Sequence, residues 1–140
     1  MWKTMEQEKN LSTHLGRVIC EIPLKLPSLN EYVRVCRTNP YKASAFVKDV
    51  ENDIGIFLAR LPVFERVKIH FHWVEGTKRR DFDNVAAGKK FILDAMVKAN
   101  RLKDDNRKCV TAFTDTFSYG DTTKVILTIE EESDGEKTTG

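Results

Sequence analysis

Aspartates recur in one short central stretch of the sequence, at positions suited to holding a metal ion. Asp81 and Asp83 stand two residues apart where an extended segment gives way to a helix, so both carboxylates are expected to project to one side. Asp104 and Asp105 follow and offer a third carboxylate. Mg²⁺ prefers oxygen ligands, and bound Mg²⁺ neutralises a phosphate and activates a water for phosphodiester hydrolysis. The stretch therefore predicts a magnesium site, with Mn²⁺ as the alternative metal.

Each part of this pattern also has a purely structural interpretation. Asp83 would cap the helix, and Asp104 and Asp105 would form a polar turn, because local hydrogen bonds favour aspartate at both places. Arg79 and Arg80 would either meet a phosphate brought to the metal or form salt bridges with the aspartates. The sequence leaves both interpretations open.

Basic residues are concentrated near the aspartates, although the net charge of the chain is only +2. A second group of basic and aromatic residues surrounds Tyr32 and Tyr41. Such a mixture is typical of a loop that contacts DNA, but the tyrosines would equally pack on the core. The predicted DNA-contacting residues are Arg34, Arg37, Lys42, Lys78, Arg79, Arg80, Lys89 and Arg101.

The hydrophobic periodicity predicts a small α/β domain (mixed α+β) with a mostly antiparallel or mixed sheet. Strands are predicted at 17–26, 67–74, 108–118 and 124–130, and two main helices at about 43–61 and from Asp83 or Asn84 to about 100. In the second strand, the apolar odd-numbered residues from 67 to 73 mark the core face. The last two strands are expected to pair as a hairpin through the turn at 119–121.

Length and composition predict one soluble domain. The chain has 140 residues, of which 41% are hydrophobic. We expect a flexible N-terminal arm at 1–15, the domain at 16–131 and a disordered tail at 132–140. No apolar run approaches the ~20 residues that span a membrane, and the polar start carries no secretory signal, so a cytoplasmic location is expected. The three cysteines are too widely spaced for a disulfide framework or a zinc site.

The pattern RRDFDN at 79–84, followed by a helical lysine, Asp94-Ala95 and Asp104-Asp105, resembles the RusA family of Holliday junction resolvases, especially its prophage-borne members. LNEY at 29–32, Arg37 and NPY at 39–41 resemble the N-terminal motif of that family, so the resemblance covers about residues 17–130. It implies that Asp81, Asp83 and Asp105 are the catalytic, metal-binding carboxylates and that Lys90 is the catalytic lysine. Because the spacing from Asp83 to Asp94 exceeds that of the enterobacterial form, Lys89 is the alternative.

The resemblance also implies a function. The expected protein is a RusA-like, Mg²⁺-dependent endodeoxyribonuclease that resolves four-way DNA junctions by paired symmetric nicks in recombination and repair, as a homodimer. A nuclease for flaps or forks uses the same aspartate chemistry, and a structure-selective DNA-binding protein without cleavage is a further alternative. A Ca²⁺-regulated protein is disfavoured because the spacing does not follow an EF-hand loop.

The predicted second helix raises a geometric difficulty for this site. Unbroken from Asn84 to Asn100, it would carry the chain about 25 Å away from Asp83 at ~1.5 Å per residue. Either Gly88 interrupts the helix, so that its regular part begins near Lys89, or a partner subunit supplies the distant carboxylate.

His70 and His72 share one face of the second predicted strand and are candidate metal ligands. A third ligand with suitable spacing is missing from the sequence, and three protein ligands are usual even in open zinc sites. A role on the sheet surface is therefore favoured for both.

Overall fold

A five-stranded mixed sheet with helices packed against one face makes up the part of the chain that the computed structural model describes, residues 11–14, 16–77, 80–104 and 106–132. The strands are β1 (Leu11–His14), β2 (Arg17–Ile22), β3 (Val67–Glu75), β4 (Val110–Tyr119) and β5 (Lys124–Glu131), and the helices are α1 (Leu29–Thr38), α2 (Pro40–Leu58), α3 (Phe82–Ala86) and α4 (Lys89–Lys98). The predicted α/β class and mixed sheet are confirmed. The strand and helix counts were too low.

The order of the strands is β1-β2-β5-β3-β4. β4 runs parallel to β3, and the other neighbouring strands are antiparallel. The predicted hairpin of β4 with β5 is therefore wrong, because β5 inserts between β2 and β3. Its inward residues Val125, Leu127 and Ile129 are at most 1% exposed, as suits a central strand, whereas β4 is more exposed and forms an edge.

β3 alternates as predicted. Its odd-numbered residues from 67 to 73 are buried in the core, which they share with the inward residues of β2, β5 and the helices. On the opposite face, His70 Nε2 lies 2.8 Å from the Thr116 hydroxyl, and His72 Nε2 lies 2.9 Å from the Ser118 hydroxyl. The other ring nitrogens also contact hydroxyls of β4. The sheet-surface role expected for the two histidines is confirmed.

The region around residues 29–42, predicted to be a loop, is helical. α1 begins at a capping box, in which the Ser28 hydroxyl accepts from the Glu31 backbone N–H and the Glu31 carboxylate accepts from the Ser28 N–H. Asn39 ends α1 and caps α2, accepting from Tyr41 N–H at 2.9 Å. The apolar residues of α1 do recur at helical spacing, at 29, 32, 33 and 36, but the helix is short, largely polar and has no fully buried residue, so its mixture of aromatic and basic residues was interpreted as a loop.

Two helices separated at Gly88 connect β3 to β4. This is the arrangement in which Gly88 interrupts the predicted helix, one of the two that the sequence left open. Gly88 is buried, and a Cβ there would lie 3.2 Å from Leu26 Cβ, so glycine permits the close approach of these segments. α4 begins at Lys89. It ends in a Schellman arrangement, in which Asn100 has a φ of 58° and the Arg101 N–H donates to the Met96 carbonyl oxygen at 2.9 Å.

β1 lies inside the stretch predicted as a flexible arm. Its four residues pair with β2 through the backbone, which side-chain periodicity does not reveal. The domain boundaries otherwise stay predictions, since residues 1–10 and 133–140 lie outside the described residues. Among the helices described, none has the length and apolar character needed to cross a membrane.

Candidate functional site

A buried ion pair fixes the segment that leads into the predicted acidic site. Glu75, at the end of β3, is 2% exposed. Its carboxylate accepts from Arg80 Nε at 2.9 Å and from Arg80 Nη2 at 2.8 Å. Arg80 Nη1 donates to the Leu26 carbonyl oxygen at 2.8 Å. All three guanidinium nitrogens therefore bond inside the protein, and the expected salt bridge of Arg80 with the aspartates is not formed.

Asp81 and Asp83 are exposed at the beginning of α3. Asp81 is the N-cap residue in extended conformation, but its side chain makes no capping hydrogen bond. Asp83 lies in the first helical turn, so the expectation that Asp83 or Asn84 caps this helix is wrong. The two carboxylates do not share one extended segment either, because α3 begins between them. Neither forms a hydrogen bond or ion pair with any residue of the described part of the chain.

Aromatic side chains adjoin Asp81. The Phe82 ring stacks on the Phe117 ring, with centroids 4.2 Å apart and an angle of 8° between the planes. The Tyr119 ring centroid lies 6.3 Å from that of Phe82. Phe82 is 44% exposed and Tyr119 is 47% exposed. Arg80, Asp81, Phe82 and Tyr119 line an open pocket of about 180 Å³. We call it the Phe82 pocket.

A second group of aromatic and acidic residues lies nearer the N-terminal end of β4, at residues 113 and 115. Lys89 Nζ donates to Asp115 Oδ2 at 2.7 Å and lies 4.0 Å from the Phe113 ring centroid and 5.4 Å from that of Phe71. The Trp73 indole N–H donates to Asp115 Oδ1 at 2.8 Å. The Lys89 side chain is only 16% exposed. We call Lys89, Asp115, Phe113 and Phe71 the Lys89 clamp.

Lys90, the predicted catalytic lysine, lies on the exposed side of α4. Its Nζ donates to Asp94 Oδ2 at 3.1 Å, four residues on, and its side chain is 63% exposed. This is a solvated pair on the helix surface, of the kind that contributes a few tenths of a kcal/mol. The two adjacent lysines thus have different environments, and it is Lys89 that reaches the sheet.

The other predicted DNA-contacting residues are dispersed. Arg101 Nη1 donates to the Leu61 carbonyl oxygen at 2.7 Å, so it links the end of α4 to the chain that follows α2. Arg34, Arg37 and Lys42 are exposed on α1 and α2. Asp105, Lys78 and Arg79 lie outside the described residues, so the structure does not test where their side chains lie.

Tyr32 packs against α4, as one of the two interpretations of the α1 region predicted. Its ring meets Phe91 edge to face, with centroids 5.6 Å apart. A hydrogen bond with the Cys36 side chain is the main cause of the raised pKa of Tyr32. Tyr41, by contrast, is 87% exposed.

Sequence reasoning missed Glu75, Asp115 and the aromatic residues of β4. One available signal was Asp115 itself, because aspartate is disfavoured within strands and needs a partner there. The strand periodicity was a second signal, since residues 113, 115, 117 and 119 alternate onto one face. The pairing partners could not be predicted, because β4 was assigned to the wrong neighbour.

No family model matches the chain, and no curated protein matches it. Two solved structures of the periplasmic domain of Helicobacter pylori MotB are similar. One, of residues 97–256, is 15% identical, with 92% of each chain covered and a TM-score of 0.40. The other, of residues 90–256, is 14% identical, with 99% of this chain and 91% of that chain covered and a TM-score of 0.42. Similarity at this level transfers no ligand, activity or location from MotB to this chain.

The comparisons correct the predictions that followed from the resemblance to RusA resolvases. The chain matches no family model, and the solved structures reported above are periplasmic MotB domains rather than resolvases. The pattern of aspartates and basic residues misled because aspartate is common at helix starts for local reasons. The predictions not retained are the endonuclease activity and its flap, fork and DNA-binding alternatives, the DNA junction partner with the homodimer, and the cytoplasmic location.

Proposed function

We propose that this domain binds a divalent cation, Mg²⁺ or Mn²⁺, through Asp81 and Asp83. The observation that carries the proposal is a contrast among neighbouring carboxylates. Three of them are paired with a cation: Glu75 with Arg80, Asp115 with Lys89, and Asp94 with Lys90. Asp81 and Asp83 are exposed and have no such partner among the described residues. Two nearby carboxylates whose charge no described residue neutralises favour a cation from solution.

The donor set suits a hydrated, weakly held ion. Nowhere in the described ranges do three or more His, Cys, Asp or Glu side chains come together to hold a metal ion. Mg²⁺ is commonly bound by one or two carboxylates with water in its remaining positions, whereas Zn²⁺ takes three or four nitrogen, sulfur or carboxylate ligands. Asp105 stays the predicted third carboxylate. A cation held in this way keeps most of its positions for water or for oxygen atoms of a bound ligand.

Contacts that hold residues 80–83 in place also favour a divalent-cation site at Asp81 and Asp83. The Glu75–Arg80 ion pair holds the chain immediately before Asp81, and the Phe82–Phe117 stack holds the residue between the two aspartates. Ordering the ligands before the ion arrives lowers the entropic cost of binding. Asp83 has a second effect, since a negative charge in the first turn stabilises α3.

The experiment is a Mn²⁺ titration followed by electron paramagnetic resonance, in which the free ion gives the signal. We expect one Mn²⁺ per chain, displaced by Mg²⁺. Asp83→Asn should weaken binding by about tenfold or more, because a carboxylate about 4 Å from a divalent ion contributes about 2 kcal/mol even at the dielectric constant of water.

Asp49→Asn is the matched control, since Asp49 is an exposed aspartate on α2 and the substitution changes the charge equally. It should leave the affinity for Mn²⁺ unchanged. Equal weakening by both substitutions would indicate diffuse attraction to the surface and would reject the site, as would a wild-type protein that binds no Mn²⁺.

A further inference from the structure

The Lys89 clamp shows how β4 holds an ammonium group. The group lies between a carboxylate at 2.7 Å and an aromatic face at 4.0 Å, measured to Asp115 Oδ2 and to the Phe113 centroid. A carboxylate supplies charge and a hydrogen-bond acceptor, and the negative face of an aromatic ring attracts a cation. Both side chains come from one face of the same strand.

The Phe82 pocket repeats this composition farther along the strand. Tyr119 lies on the same face of β4 as Phe113 and Asp115, by the alternation of side chains. Phe82 adds a second ring, whose position is fixed by its stacking on Phe117. Asp81 adds a carboxylate that caps no helix. The pocket therefore holds two partly exposed rings and a carboxylate within about 180 Å³.

The hydrogen-bonding groups of the pocket decide what kind of ligand fits. Arg80 also lines it, but its three nitrogens bond to Glu75 and to the Leu26 carbonyl oxygen, and Glu75 neutralises its charge. Among the described lining residues, Asp81 is then the charged group that faces a ligand. The described lining residues therefore favour a ligand that brings donors and positive charge, because they would repel an anion and because an apolar group would remove water from the carboxylate.

We propose that the Phe82 pocket binds a primary ammonium group carried on an alkyl chain, the chemistry shared by a lysine side chain and a free polyamine. The ammonium donates to Asp81, and its methylene stem lies against the Phe82 and Tyr119 rings. The arrangement parallels the one that Lys89 makes within the chain. It differs from the divalent-cation site in using aromatic faces, and it does not require Asp83.

The experiment is a titration of isotope-labelled protein monitored by the aromatic resonances of Phe82 and Tyr119. The probes are N-acetyl-lysine methylamide, its counterpart acetylated on Nζ, and spermidine. We expect saturable shifts with the charged lysine probe and none with the acetylated one, which keeps the stem but loses the charge. A lower Kd for spermidine would identify a free polyamine as the source, and a higher one would identify a lysine side chain. Equal shifts from both lysine probes would overturn the proposal.

Substitutions place the binding in this pocket. Phe82→Leu and Asp81→Asn should each raise the Kd of the charged probe about two- to fivefold, as expected for loss of a cation–π contact or an exposed ion pair. Tyr41→Leu removes an exposed aromatic ring elsewhere and should change nothing. Unchanged affinity in both Phe82→Leu and Asp81→Asn, with the fold verified by the amide spectrum, would reject the pocket.

The divalent-cation site and the ammonium site can be tested independently, because different substitutions should weaken each of them. Asp83→Asn should weaken Mn²⁺ binding by about tenfold or more and leave the Kd of the ammonium probe unchanged. Phe82→Leu should raise the Kd of the probe about two- to fivefold and affect Mn²⁺ binding much less than Asp83→Asn does. Mg²⁺ should compete with the charged probe in the wild-type protein, because both use Asp81. Loss of probe binding in Asp83→Asn would overturn the ammonium site as distinct from the metal site.

Discussion

The Lys89 clamp and the Phe82 pocket both combine a carboxylate with aromatic rings beside the same face of β4, but only the clamp contains a described lysine. In the clamp, Lys89 reaches from α4 to Asp115 and is mostly buried. In the pocket, Asp81 faces solvent and the rings remain about half exposed. The difference comes from Lys89, because its side chain extends from the beginning of α4 to Asp115 and the Phe113 ring, whereas Tyr119 is 47% exposed. One arrangement thus stabilises the fold, and the other is available to a ligand.

The largest expected effect is a loss of stability in the clamp. Asp115→Ala leaves a mostly buried ammonium and the Trp73 indole N–H without their acceptor, which should lower the free energy of unfolding by about 2 kcal/mol. Asp81→Ala should change it by less than about 0.5 kcal/mol, because its carboxylate bonds to no described residue. Urea unfolding without added cations measures both. Equal losses would remove the distinction between the two sites.

The next effect concerns how the pocket is built. Phe82→Ala, Phe117→Ala and the double substitution form a cycle that isolates the energy of the ring stack. We expect a coupling of about 1 kcal/mol, which is typical of well-packed aromatic pairs. Urea unfolding of the four proteins gives the value. A coupling near zero would mean that the Phe82 ring is not held in place, and a pre-formed pocket would then be untenable.

The smallest expected effect comes from a substitution that should turn the Lys89 clamp into a site for an added ammonium ligand. Lys89→Ala empties the clamp and leaves Asp115 and the Phe113 ring without their cation. Added n-butylammonium should then bind and stabilise the variant by about 0.4 kcal/mol when its concentration equals its Kd. The wild-type clamp, already filled by Lys89, serves as the control. Thermal unfolding with n-butylammonium and with uncharged n-butanol measures the difference, and equal stabilisation by both compounds would count against recognition of charge.

The sequence was sufficient where the pattern of side chains alone decides the structure. The core face of β3 follows from strict alternation, and a break at Gly88 was one of the two arrangements that the sequence left open. The acidic residues at 81 and 83 were located, but not their surroundings. Those depend on which strands are neighbours, and a polar turn such as 119–121 does not reveal whether the strands it joins pair with each other.

The candidate site illustrates the same limit at the level of single residues. Arg80 was expected to face the aspartates, and it turns inward because Glu75 is buried and needs a cation. Lys89 and Lys90 cannot be distinguished by spacing alone, yet one reaches β4 and the other remains at the surface. Long-range pairing decides both outcomes.

The position of β5 has a consequence for how the protein is synthesised. It is the last of the described strands in sequence, yet it lies between β2 and β3, so the paired residues Arg17 and Glu130 are 113 positions apart. At ~5–20 residues per second, β2 waits roughly 5–20 seconds on the ribosome before its neighbour is made. During that interval β2, and later β3 once it has been made, present an unpaired edge to other nascent chains. A product that terminates before residue 124 would lack the centre of its sheet and would be a substrate for chaperones and proteases.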